Sequence, residues 1–477
     1  MTRMFTGNRH FTYLLALTVI TLAVYFIALN AGFLSVDDTD TISFIQSGKV
    51  SVTQLFLAPS KAYYRPLALL SLLGDFHLYG GNPAGYHLTN LLFHLANVLL
   101  VYYLATLTMG KDLLNPGIYP FLAALIFAVH PVNSEAVVWI SARPDLLCCF
   151  FTLLCMVLLV KRSNNVTPLV IAGLFTTLFC SLASKEASLF LPILAPVYFM
   201  LHRKNLTIRS GVAACGALLL STLAYLMLRK GLPLSPNEEF AASTHHASHV
   251  SSAIIDGAAA IGFYISKLLY PFPLNIAITE IPATGCVGVL LLSIVAGATL
   301  WMKLAALRFP LTFLATSLVP PLGALFLSTA WTPYAERYLY LPSVAFALCS
   351  IILLQRYAAS VPATALVGCA MLAAIPTVHR VNMWTKPIAF WQDAAAKSPR
   401  FGTLRLPLAA EYIETGRFAE AEDTLRRADE LGLPLESTRD FSRQLKVLIT
   451  MRSGSLQATS ASRSQAATSG PSGAAKR

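Results

Sequence analysis

Apolar positions run along this chain in blocks too long for the one-sided helices of a soluble protein. A helix needs about 20 mostly apolar residues to cross about 30 Å of hydrocarbon. Blocks of this kind occur at 11–30, 86–107, 119–130 with its flank, 146–160, 167–182, 187–201, 211–228, 284–302, 311–327, 338–354 and 362–376. They predict an all-α, polytopic membrane protein with about eleven transmembrane helices. Two further apolar stretches, 67–79 and 253–270, are poorly placed and read as half-embedded or re-entrant segments. Arg3, Arg9 and His10 precede the first block as in a signal peptide. Its apolar run is too long for such a peptide and no small-residue cleavage site follows, so it reads as a retained span.

The polar positions between the blocks set sidedness. Lys161 with Arg162, His202 with Arg203, Lys204 and Arg209, Lys303 with Arg308, and Arg356 alternate with the spans if the N-terminus is cytoplasmic. An odd span count then puts the C-terminal region outside. Thirteen of the 23 carboxylates precede residue 380, and Asp112 alone among them falls in a cytoplasmic loop. Asp37, Asp38, Asp40, Glu135, Asp145, Glu186, Glu238, Glu239, Glu280 and Glu336 fall at the outer face; Asp75 and Asp256 lie in the two ambiguous segments. Acids do little to set topology. Their gathering points either to a polar outer cavity that does chemistry or to a solvated loop surface.

Composition narrows the class. Only 12% of the 477 residues are charged and 56% are hydrophobic, against about 25% charged in soluble proteins. Disorder and a soluble multidomain enzyme are excluded. A net charge of +12 has its ordinary source in cytoplasmic loops. No basic cluster is interleaved with aromatics, so nucleic acid is set aside. The eight cysteines lie in or beside apolar runs without a CxxC pair, which argues small buried side chains rather than zinc or disulfides.

The pattern changes after Val378. We divide the chain into a membrane domain, 1–379, with a first outer loop at about 31–85, an extracytoplasmic helical region, 380–452, and a tail, 453–477. Within 402–435, Leu408, Ala409, Tyr412, Gly416, Ala421, Leu425, Ala428 and Pro434 occupy the positions of one 34-residue tetratricopeptide (TPR) repeat. One repeat cannot bury its own face, so it needs the membrane domain, the 441–451 segment or another protein. The tail holds Ser, Ala, Gly and Thr with no acid or aromatic and reads as disordered.

Candidate chemistry lies at the outer face. Asp37 and Asp38 are adjacent carboxylates just past the first span; repulsion should raise one pKa and suit a general base, or one of them caps a helix over 41–47. Arg65 re-enters apolar surroundings beside Lys61, Tyr63 and Tyr64, where a guanidinium either binds an anion such as phosphate or snorkels to the interface. His130, Glu135, Arg143 and Asp145 crowd into sixteen residues between two spans. His130, ending a helix, is either a satisfied hydrogen-bonding group or part of a polar site. Lys185 beside Glu186, and Glu336 beside Arg337, either join that site or hold loops as ion pairs. His245, His246 and His249 sit in a Ser/Ala-rich loop that reads as solvated rather than metal-binding. Asp38-Thr39-Asp40 is a DxD, a short pattern that leaves a divalent metal open.

These motifs resemble a known family in their order and spacing. Val36–Asp40, Tyr64-Arg65-Pro66-Leu67, Tyr86-His87-Leu88-Thr89-Asn90 with Leu91-Leu92-Phe93-His94, the run 127–135, 143–147, 184–186 and Glu336-Arg337-Tyr338-Leu339-Tyr340-Leu341-Pro342 are similar to the transmembrane and TPR repeat-containing proteins and their bacterial relatives. These are membrane glycosyltransferases of the GT-C superfold. The junction from His379 through Trp384 and Trp391 matches as well. The chain departs from the pattern in having one recognisable repeat instead of a run. The resemblance implies transfer of a sugar, often mannose, from a polyprenyl phosphate carrier to a hydroxyl on protein or glycolipid at the outer face. It implies Asp37 or Asp38 as the activating group. Arg65, Arg143, Lys185 and Arg337 are then candidates for the donor phosphate with His130 as a hydrogen-bond donor, and Glu135, Asp145 and Glu336 form a secondary acidic site. The implied partners are the lipid donor, the acceptor, the membrane and a protein at the TPR. The expected location is a bacterial inner membrane with a periplasmic C-terminus, the alternative being the ER membrane with a lumenal one. Two other readings are a membrane-anchored TPR scaffold without catalysis and a flippase for lipid-linked sugars.

Overall fold

The computed structural model describes residues 2–48, 52–57, 64–109, 117–202, 207–229, 250–326, 332–358, 360–433 and 435–468. Among these no strand forms; one isolated bridge pairs Ile278 with Tyr334. The chain folds as two compact units, Met1–Lys386 and Pro387–Arg477.

The first unit begins with α1 (Thr2–Tyr25), α2 (Asp38–Gln46), α3 (Val52–Leu57), α4 (Pro66–Tyr79) and α5 (Pro83–Thr108). Next come α6 (Ile118–Val129), α7 (Ser134–Val138), α8 (Arg143–Arg162), α9 (Pro168–Ser184), α10 (Leu191–Leu201) and α11 (Ile208–Arg229). It closes with α12 (Val250–Leu269), α13 (Ala283–Lys303), α14 (Arg308–Ser317), α15 (Pro320–Phe326), α16 (Tyr340–Tyr357) and α17 (Ala363–Trp384). Prolines open many of these helices, where their missing N–H is no loss. Asn82 and Thr167 cap α5 and α9 by accepting from the backbone N–H of Ala84 and Val170.

Among the described residues, eight helices are long and apolar enough to cross a membrane. The bent pair 118–129 and 131–138 adds a ninth, and Pro168–Ser184 and Glu186–Leu201 are shorter apolar helices. Together they coincide with the blocks read from the sequence. The 51° bend falls at Pro131, which cannot continue the helix of α6. The apolar stretch 67–79 is the 14-residue α4, and 253–270 lies within α12. Neither is among the spanning candidates.

Polar side chains pin the spans together. Asn97 on α5 donates to the carbonyl of Leu146 on α8 at 3.0 Å and to the Tyr340 hydroxyl on α16 at 3.1 Å. His94 meets the same hydroxyl at 2.7 Å. In a low-dielectric interior such hydrogen bonds between spans favour one helix register.

The second unit holds α18 (Pro387–Lys397), α19 (Arg405–Glu414), α20 (Phe418–Leu431) and α21 (Glu436–Thr468). The segment read as one repeat is the α19–α20 hairpin. Gly416 turns it at φ 74°, a backbone state open to glycine. Ala409, Tyr412, Ala421, Leu425 and Ala428 are buried, with Leu445 and Ile449 of α21 also buried. α21 continues as helix to Thr468, consistent with its alanines, the best helix formers. Residues 469–477 lie outside the described ones.

Candidate functional site

Asp37 and Asp38 take opposite fates. Asp38 opens α2 and is buried; its carboxylate accepts from the Leu34 N–H at 3.0 Å, the Ser141 N–H at 2.9 Å and the Ser141 hydroxyl. It pins the first loop to the turn before α8. Burial pushes its pKa up to about 7, against the pull of those hydrogen bonds. Asp37 is the N-cap residue of α2, yet its side chain makes no capping bond. Among the described residues it is the one non-glycine at positive φ, 62°, a conformation that costs on the order of 1–3 kcal/mol. The carboxylate is exposed, but surrounding protein keeps bulk water away and raises its pKa above 3.8. Arg337 and Arg65 pull the other way, and Asp40 adds to the rise. Both Arg65 and Arg337 are therefore within electrostatic reach of Asp37.

Beyond Arg65 opens a cavity of about 780 Å³. Its walls are mostly apolar, with Phe190, Ile193, Leu226, Val319, Leu322 and Leu341 among them. Its charged lining is Arg65, Asp145, Lys185, Glu186 and Arg229. Lys185 donates to both Asp145 oxygens at 2.6 and 2.7 Å and lies over the Tyr338 ring. Glu186 accepts from Arg65 at 3.2 Å and from Arg229 at 2.7 Å. Among the described lining residues the cations outnumber the carboxylates by one. An apolar chamber with a small cationic surplus suits a greasy molecule that carries one negative charge.

Arg337, Glu135, Arg143, His130 and Glu336, also singled out from the sequence, are not among the residues that line this chamber. Arg337 donates to Glu135 at 2.6 Å and stacks on Trp139 and Tyr338, so the Tyr338 ring is contacted by both Arg337 and Lys185. Arg143 is wholly buried and spends its donors on Asp75 at 2.7 Å, Ser71 at 2.8 Å, the Tyr86 carbonyl at 2.9 Å and Asn90. It ties α4, α5 and α8 together and faces no phosphate seat. His130 is likewise occupied: it pairs with the Leu268 carbonyl at 3.0 Å and accepts from the Val132 N–H at 3.3 Å. Glu336 is buried against Lys267 at 3.3 Å and the Asn275 N–H at 3.0 Å. Lys61, Tyr63 and the three histidines of 245–249 lie outside the described residues.

The sequence reading passed over Arg229 and Lys267. Arg229 carried a signal. It is a cation at the end of an apolar span opposite Arg209, and on the sidedness expected from the sequence it would run against the positive-inside trend. Lys267 sits in the segment read as half-embedded and found its carboxylate only through folding. Among the described residues no three His, Cys, Asp or Glu side chains form a metal-holding group. Asp38 of the DxD is already engaged by Ser141 and Leu34.

No family model matches the chain. It is similar to the protein O-mannosyl-transferase F38B6.6 of Caenorhabditis elegans, 30% identical over 41% of this chain and 29% of that one. It is also similar to the human protein O-mannosyl-transferase TMTC4, 41% identical over 19% of this chain and 14% of that one. The matched stretches thus span less than a third of these relatives. A solved structure, ArnT from Cupriavidus metallidurans bound to undecaprenyl phosphate, is similar over 92% of this chain and 77% of that one, at 13% identity and a TM-score of 0.43. The family resemblance read from the motifs agrees with the two sequence relatives.

Proposed function

We propose that this chain is a membrane glycosyltransferase that moves a sugar, mannose by its relatives' names, from a polyprenyl phosphate to a hydroxyl of a protein or glycolipid. The observation that carries the reading is the apolar chamber lined by Arg65, Lys185 and Arg229, whose Arg65 is within electrostatic reach of the exposed Asp37. Asp37 is the base. It takes the acceptor's proton as the acceptor oxygen attacks the anomeric carbon; the bond from that carbon to the phosphate oxygen breaks, and polyprenyl phosphate leaves. One displacement inverts the configuration. Charge on the departing phosphate grows through the transition state, so fixed cations lower the barrier. Arg65 and Lys185 of the chamber supply them, with Arg337 beside Asp37. The apolar walls hold the first isoprene units.

Asp38, Arg143 and His130 serve this reaction as scaffold, since each is already fully engaged. Glu135, Asp145 and Glu336 are the counter-ions that hold Arg337, Lys185 and Lys267. The site opens on the outer side of the membrane, in a bacterial inner membrane, with the C-terminal unit in the periplasm. The test is transfer of labelled mannose from undecaprenyl or dolichyl phosphate to a hydroxyl acceptor by the full chain in detergent. Donor binding without any transfer to peptide or glycolipid acceptors would remove the enzyme reading.

A further inference from the structure

We infer that Glu186 stands in for the donor's phosphate: it occupies the seat between Arg65 and Arg229 and leaves it when the donor enters. The inference rests on the donor reading above. The other ion pairs here, Arg143 with Asp75, Arg337 with Glu135 and Lys185 with Asp145, are one cation to one carboxylate and nearly closed off. Glu186 instead bridges two guanidiniums, those of Arg65 and Arg229. The three side chains keep 15–24% of their surface open, and all three line the chamber.

The exchange conserves charge. A carboxylate carries one negative charge over two oxygens, and so does the phosphodiester that links a sugar to a polyprenyl chain. Swapping one for the other leaves two guanidiniums shared by one anion, so neither cation is stranded in apolar surroundings. Arg229 has capacity for the larger group. Its Nη1 reaches Glu186, while its Nε is buried without a hydrogen-bond partner among the described residues. The phosphate presents further oxygens that a carboxylate lacks. Glu186 opens a short 3₁₀ turn after the extended Lys185, so its side chain can change rotamer without shifting a long helix. An internal competitor of this kind lowers apparent donor affinity by the fraction of molecules in which the seat is taken. After transfer it also helps the spent carrier leave.

A carboxylate that only braces the two arginines makes the opposite prediction. Its loss would let the guanidiniums repel and misplace, and donor binding would weaken. The experiment titrates the full chain and Glu186→Gln in detergent with undecaprenyl phosphate, and separately with inorganic phosphate, following binding by thermal shift. The expected result is lipid binding about tenfold tighter in Glu186→Gln. Unchanged or weaker lipid binding overturns the inference while leaving the donor reading intact. Tightening for inorganic phosphate alone also overturns it, because the seat would then belong to a free anion. If neither protein binds the lipid, the donor reading itself fails. Should Glu186→Gln not fold, Arg229→Gln decides. It removes one grip on the phosphate, so about tenfold weaker lipid binding supports the inference and unchanged binding overturns it.

Discussion

Asp37 and Asp38 differ by one position and by everything that matters to a base. Asp38 has both oxygens occupied by Leu34 and Ser141, whereas Asp37 is open and strained. Asp38→Asn should therefore unfold more easily, because its amide N–H would face the Leu34 N–H; leaving that buried donor unmet costs about 1–3 kcal/mol, readable as a drop in Tm. Arg143→Ala should be worse, by about 3–5 kcal/mol, since Asp75 would be left buried and unpaired. Both effects belong to stability, and the donor affinity of whatever remains folded should match wild type. With Asp37 as the proposed base, its titration sets the acid limb of activity. Its pKa is raised, and the base works only when ionised. Lowering the pH through that raised value should remove activity, with the acid limb of kcat/KM centred above the 3.8 of a free aspartate.

At the scale of elements, legibility followed local cause. The spans were readable because about 20 apolar residues in a row have few other uses, and the break after His130 because Pro131 follows it. Pairings were not readable. Asp38 meets Ser141 across 103 positions and Arg337 meets Glu135 across 202; no local pattern marks either. The sequence offered Arg143 and Arg65 as equivalent outer cations. Folding buried the first in a helix-tying network and left the second on the chamber. One close crossing was also invisible. Gly262 on α12 faces the Cys286 carbonyl of α13 so closely that an added Cβ would lie 1.7 Å from it. Gly262→Ala must push the two helices apart, with a loss of about 1–3 kcal/mol from overpacking, measurable by thermal unfolding in detergent.

At the scale of the membrane unit, one arrangement unites these parts. Loops that close apolar spans bring carboxylates and cations together, nearly every one in a partnered set. Among the described residues Asp37 is exposed and makes no capping bond, and Glu186 bridges Arg65 and Arg229 beside greasy walls. On the proposed reading, Asp37 as base and the cation-bearing chamber together form the place where a lipid-borne sugar meets a water-borne hydroxyl. The most direct test is mannose transfer from undecaprenyl phosphate mannose by wild type and Asp37→Asn, with donor binding and Tm measured on both. The account predicts that Asp37→Asn keeps its fold and binds donor, while turnover falls by about 10²–10⁴. Full turnover in Asp37→Asn would contradict it.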